Sequence, residues 1–105
     1  MGQKISKTIT LPRLNRLTPS LESTALKIME ESGELAQAIG KLRGLSGEKQ
    51  TMEEEEAMQY VAEELMDVAQ TAVTMMFVLE EQYEIDIEQI LKGHIAKLRR
   101  KGYCD

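Results

Sequence analysis

The chain has 105 residues, enough for one small domain, 1–105, and no more. Its 18 Asp and Glu outnumber 13 Lys and Arg for a net charge of −5, which argues against a general nucleic-acid binder. With no Trp and seven Met, packing falls to aliphatic side chains and Met, which suit helix–helix interfaces. A chain this short buries little surface alone, so an oligomer is expected.

Charge is unevenly placed. Residues 1–17 carry Lys4, Lys7, Arg13 and Arg16 and no acid, and residues 92–101 are also purely basic. Cys104 is the single cysteine and cannot form an internal disulfide. The longest apolar stretch, Ala72 to Leu79, is too short for a membrane span, and no signal-peptide pattern opens the chain. The expectation is a cytoplasmic protein that binds neither membrane nor nucleic acid.

Residues 1–17 carry no clear periodicity; Pro12 breaks them, and a short turn can follow it. A first helix is predicted over about 19–43, with Thr18 as N-cap, Pro19 in the first turn and Gly44 as the stop. Leu21, Ala25, Ile28, Leu35, Ile39 and Leu42 recur along it at helical spacing. Residues 44–51 read as a loop. A second helix is predicted over about 52–82, opening on a Thr51/Glu54 capping box. Its apolar positions run Met58, Val61, Leu65, Val68, Ala72, Met75 and Leu79. The Glu53–Glu56 run sits in its first turn, where the helix dipole accounts for it. A third helix spans about 86–101, started by Asp86 and ended by Gly102. No strand pattern occurs, so the fold class is all-α.

The first two helices contain an internal echo. Ile28–Ile39 reads IMEESGELAQAI and Val61–Ala72 reads VAEELMDVAQTA, and the two align without a gap. The matches include polar positions: Glu31 with Glu64, Glu34 with Asp67, Gln37 with Gln70. Glu31 and Glu64 stand roughly 80° from the centre of the apolar stripe, and Glu34 and Asp67 roughly 140°. Glu30 and Glu63 point nearer to solvent. Of the four shoulder acids only Glu31 has a helical cationic neighbour, Lys27. Two readings follow. The acids are exposed surface charge, or they converge on a divalent cation, and all-oxygen ligands favour Mg²⁺ or Mn²⁺. The only histidine, His94, lies outside both motifs, which argues against a di-iron site.

Glu30-Glu31-Ser32-Gly33-Glu34-Leu35 followed by Glu63-Glu64-Leu65-Met66-Asp67-Val68 resembles the paired E-x-x-E and E-x-x-D motifs of the MazG-like all-α nucleotide pyrophosphohydrolases, a superfamily with the dimeric dUTPases and dCTP pyrophosphatases. The resemblance covers about Leu26 to Arg100. It implies a helical bundle completed as a homodimer or homotetramer. It implies hydrolysis of a nucleoside triphosphate between its α and β phosphates. Carried over by position, Glu31, Glu34, Glu64 and Asp67 would bind Mg²⁺ (or Mn²⁺), with Glu31 or Glu34 as general base. Lys41, Lys97, Arg100 and Lys101 would contact phosphates. The Glu34–Glu64 interval is long for the family, and no asparagine of the last helix is matched; His94 occupies roughly that region. Core packing is the expected role for most of Tyr60, Phe77, Tyr83 and Tyr103. The alternative function is a non-catalytic helical oligomer that binds a nucleotide or a protein partner.

Overall fold

Helix α1 runs Leu21–Leu42, α2 Glu54–Tyr83 and α3 Ile87–Arg100. These come from a computed structural model, which describes residues 4–44 and 53–105. No strand occurs among the described residues, as the periodicity implies. The predicted Thr51 cap and most of the 44–51 loop lie outside the described residues. No described helix is long and apolar enough to cross a membrane.

The start of α1 differs from the prediction. Ser20, not Thr18, is the N-cap. The Ser23 N–H donates to Ser20 Oγ at 3.0 Å, and the Ser20 N–H donates to Ser23 Oγ at 2.8 Å. This reciprocal pair satisfies two donors that the first turn would leave orphaned. Thr18 has no such partner, because three residues on stands Leu21. At the other end Gly44 takes a left-handed φ of 69° and closes the helix as expected.

Helix α2 is unbroken over 30 residues. Its N-cap Glu53 makes no side-chain cap bond; Glu54, Glu55 and Glu56 supply negative charge to the first turn instead. It ends where Glu84 turns left-handed and the Ile85 N–H donates back to Leu79 O at 3.0 Å. Asp86 then caps α3, accepting from the Gln89 N–H at 3.0 Å. Gly102, at φ 77°, terminates it.

Helices α1 and α2 pack antiparallel, so the start of α1 lies beside the C-terminal half of α2: Gln82 Nε2 donates to Pro19 O at 3.2 Å. The seam between them is not the predicted stripe. Buried residues on α1 are Thr24, Glu31 and Ala38, every seventh position. On α2 they are Ala57, Glu64, Thr71 and Val78, again every seventh, with Thr74 beside them. The seam is turned by roughly 80° from the stripe centre, the angle that separates Glu31 and Glu64 from it. The predicted Ile39, Met58 and Leu65 are exposed.

The reason is steric. Small side chains let two helices approach closely, and Ala38, Ala57 and the three Thr supply them. Larger apolar groups are displaced to the flanks. Met29 is 73% exposed, and Leu26, Met66, Ile90 and Leu91 are also exposed. Helix α3 touches α2 but not α1, and none of its residues is buried. The radius of gyration is 17.0 Å, well above the roughly 13 Å of a compact chain this long.

The N-terminal segment straps α2. Gln70 Nε2 donates to Pro12 O at 2.9 Å. Arg13 pairs with Glu81 and lies 4.3 Å over the Phe77 ring. The turn anticipated after Pro12 forms, closed by the Leu17 N–H on Leu14 O at 3.2 Å.

The Ser20/Ser23 box gives a test. Ser20→Ala should lower stability by about 1 kcal/mol. In a chain of this size that is a fall in Tm of about 4–8 °C, read from a circular dichroism melt. Ser23→Ala should add little on top of it, because each serine's bond depends on the geometry the other holds.

Candidate metal centre

The antiparallel seam sets α1 and α2 in layers. Ala38 and Ala57 form one end, Thr24 and Thr71 the other, and Glu31 and Glu64 the layer between. Each glutamate is more than nine-tenths buried, at 7% and 8% exposure. Two carboxylates therefore lie buried between two helices, where solvation is poor and like charges repel strongly.

Glu34, one turn beyond Glu31 and exposed, leans into the same place. Glu31, Glu34 and Glu64 each offer a carboxylate oxygen, and these oxygens lie within 4.8 Å of one another. One cation compensates part of this charge: Lys27 Nζ is 3.2 Å from Glu31 Oε1, one turn back on α1. Among the described residues Glu64 has no such neighbour. Its Oε2 is buried and has no hydrogen-bond partner among them. A buried, unpartnered carboxylate oxygen is costly, and it is the strongest departure here from the rule that buried polar atoms are satisfied.

The crowding acts on the neighbours. The charge of Glu31, then burial, then the charge of Glu64 raise the Glu34 carboxyl above its ordinary range. Hydrogen bonding to Glu64 raises the Tyr60 phenol, with the Glu64 charge acting in the same direction. A divalent cation fits such a group. It gives the orphaned oxygen a partner and cancels the mutual repulsion, and a set of hard carboxylate oxygens suits an oxygen-seeking metal ion.

Asp67 is exposed and lies outside the group of three. Its backbone carbonyl accepts from Thr71 Oγ1 at 3.0 Å. Glu30 and Glu63 are exposed, as their helical angles imply. Lys41 is exposed in the last turn of α1. Lys97 and Arg100 lie in the last turn of α3 and Lys101 caps it, all exposed and at the helix end that favours cations. Their helix contacts α2 alone, so within one chain they stand on a different element from Glu31 and Glu34. His94 is exposed on the same helix.

Sequence reasoning missed two things. Tyr60 is exposed, and Glu64 raises its phenol; its position four residues before Glu64 is the signal that identifies it. Tyr83 and Tyr103 are exposed too, so neither packs in a core. The burial of Glu31 and Glu64 was also unforeseen, because hydropathy places the core on Leu and Ile, while helix proximity selects small side chains.

Residues 19–102 match the family model described as the MazG nucleotide pyrophosphohydrolase domain. Comparison with curated proteins finds no match, and comparison with solved structures finds none. The match takes in α1, α2 and α3 and every acid of the candidate centre; the chain belongs to the MazG nucleotide pyrophosphohydrolase domain family.

Proposed function

We propose that this chain hydrolyses a nucleoside or deoxynucleoside triphosphate between its α and β phosphates, in a Mg²⁺-dependent reaction that yields a monophosphate and pyrophosphate. The observation that carries the reading is the convergence of Glu31, Glu34 and Glu64 around a buried Glu64 oxygen with no partner. Mg²⁺ would be held by Glu31, Glu34, Glu64 and Asp67; Mn²⁺ suits the same donors. Asp67 enters as fourth ligand on the repeated i, i+3 spacing, which sets it to Glu64 as Glu34 is set to Glu31. A cation bound there supplies charge neutralisation for the phosphates and a lowered pKa for the attacking water.

The chain's own residues do the rest. A carboxylate of Glu31 or Glu34 takes a proton as the water oxygen bonds to phosphorus and the α–β bridging bond breaks. Lys27 fixes Glu31 in direction by its ion pair. Tyr60 restrains Glu64 through its hydroxyl. Lys41, Lys97, Arg100 and Lys101 contact phosphate oxygens. The basic end of α3 and the exposed apolar groups of all three helices support a homodimer or homotetramer as the working form. The chain forms one domain, and the exposed, unpaired Cys104 suits the reducing cytoplasm.

Three measurements test this reading. A panel of normal and modified nucleoside triphosphates with Mg²⁺ should give pyrophosphate from at least one member; a folded oligomer inactive on all would overturn the reading. Glu64→Gln and Asp67→Asn should each cut turnover by on the order of 10²-fold or more while the helical circular dichroism spectrum stays unchanged. Stability should move the opposite way for Glu64→Gln. In chelator, removing that buried charge should stabilise the protein by about 1 kcal/mol or more in urea unfolding. With Mg²⁺ the wild type should gain stability by ligand linkage and the variant should not.

A further inference from the structure

The strap formed by the N-terminal segment borders an open cavity of about 410 Å³ against the helix pair. Leu14 and Leu17 come from the strap, Thr24 and Lys27 from α1, and Thr71 and Thr74 from α2. The volume is that of a small-ligand site, and the wall is mostly apolar with a few polar points, as such sites are. Nearly all of the strap lies ahead of the family-matched residues 19–102.

We infer that this cavity receives the nucleoside moiety of the substrate and that the strap, chiefly Leu17, sets base selectivity. The inference rests on the pyrophosphohydrolase reading above and extends it to a part of the molecule that the reading does not use. Three observations carry it. The cavity adjoins the carboxylate group, because Lys27 lines it and also binds Glu31 at 3.2 Å. Thr24 and Thr71 occupy the seam layer next to Glu31 and Glu64, seven residues along each helix, or about 10 Å. A nucleoside bridges that separation between its 5′-oxygen and its base. The three threonine hydroxyls already donate to helix carbonyls: Thr24 to Ser20 O at 2.8 Å, Thr71 to Asp67 O at 3.0 Å and Thr74 to Gln70 O at 2.9 Å. Thr74 Oγ1 also accepts from Gln70 Nε2 at 3.4 Å, whereas Thr24 and Thr71 keep acceptor capacity for base N–H and sugar O–H donors. The apolar side chains of Leu14 and Leu17 offer a surface for the base faces.

A second cavity of about 370 Å³ lies on the far side of Thr74. Arg13 and Glu81 line it and are already paired with each other, and it does not reach Lys27. It lacks the link to the carboxylates.

The test uses two variants of the full chain. Leu17→Trp fills the cavity from an exposed strap position, so it leaves the seam intact. Thr71→Val keeps the side-chain shape and removes one acceptor. Probes are deoxynucleoside triphosphate analogues with a methylene in place of the α–β bridging oxygen, one for each base, titrated by calorimetry with Mg²⁺. The wild type should discriminate among the bases. Leu17→Trp should weaken the best analogue by about tenfold or more and level the ranking, and Thr71→Val should reorder it. Mg²⁺ affinity without nucleotide should stay within about twofold of the wild type in both. If both variants bind every analogue as the wild type does, the cavity assignment is overturned. If analogues bind with the expected changes but triphosphates are not cleaved, the hydrolysis reading falls and the cavity assignment stands. If triphosphates are cleaved and both variants keep every kcat/KM, hydrolysis stands and the cavity assignment falls.

Discussion

The burial of Glu31 and Glu64 in the seam between α1 and α2 is the constraint on which the rest of this structure turns. A seam that holds two carboxylates cannot also hold large apolar groups. The layers on either side are small residues, Ala38 and Ala57 at one end and Thr24 and Thr71 at the other. Small neighbours bring the backbones close, and closeness is what makes the carboxylates meet. The same closeness leaves Glu64 Oε2 without a partner. Stability is sacrificed at the one layer where the chemistry of a metal site would restore it, a pattern familiar from strained functional sites.

Consequences reach the surface. With the seam given to small and polar side chains, the Leu, Ile and Met residues that hydropathy marks as core are moved to the flanks. Helix α3, amphipathic along its length, buries nothing within the chain. These apolar side chains stand exposed on the flanks of the helix pair. The functional layer and the incomplete core are one fact seen from two sides: turning the helices to bring the acids inward turns the aliphatic stripe outward.

Much of this was legible in the residues. Three helices follow from periodicity and from Asp86, Gly44 and Gly102, whose backbone roles are local and need no tertiary information. The echo singled out Glu31, Glu34, Glu64 and Asp67, because polar matches at equal spacing are not forced by amphipathicity; the fold groups the first three and leaves Asp67 outside. The rotation of the seam was not legible. A stripe of Leu and Ile predicts which face is apolar, but the face that meets a partner helix within the chain depends on how closely backbones approach, and on which apolar faces other chains would cover. The true start of α1 was missed for a smaller reason. A proline beside a threonine suggests a cap, but the deciding partner was a serine at the third helical position, outside the usual Glu or Gln pattern.

The echo also shows where two similar halves have diverged. Gln37 is exposed, whereas its counterpart Gln70 reaches from α2 to hold Pro12 of the strap at 2.9 Å. Glu31 has a lysine one turn before it, whereas Glu64 has a tyrosine there. One carboxylate is thus paired with a cation, and the other stands beside a tyrosine and keeps an oxygen without a partner among the described residues. A symmetric pair of acids would bind a cation without giving the centre a direction. The strap and Lys27 lie toward one end of the seam, and Glu34 and Tyr60 flank the acids without lining the strap cavity. That asymmetry gives the centre a front and a back, which an asymmetric substrate requires.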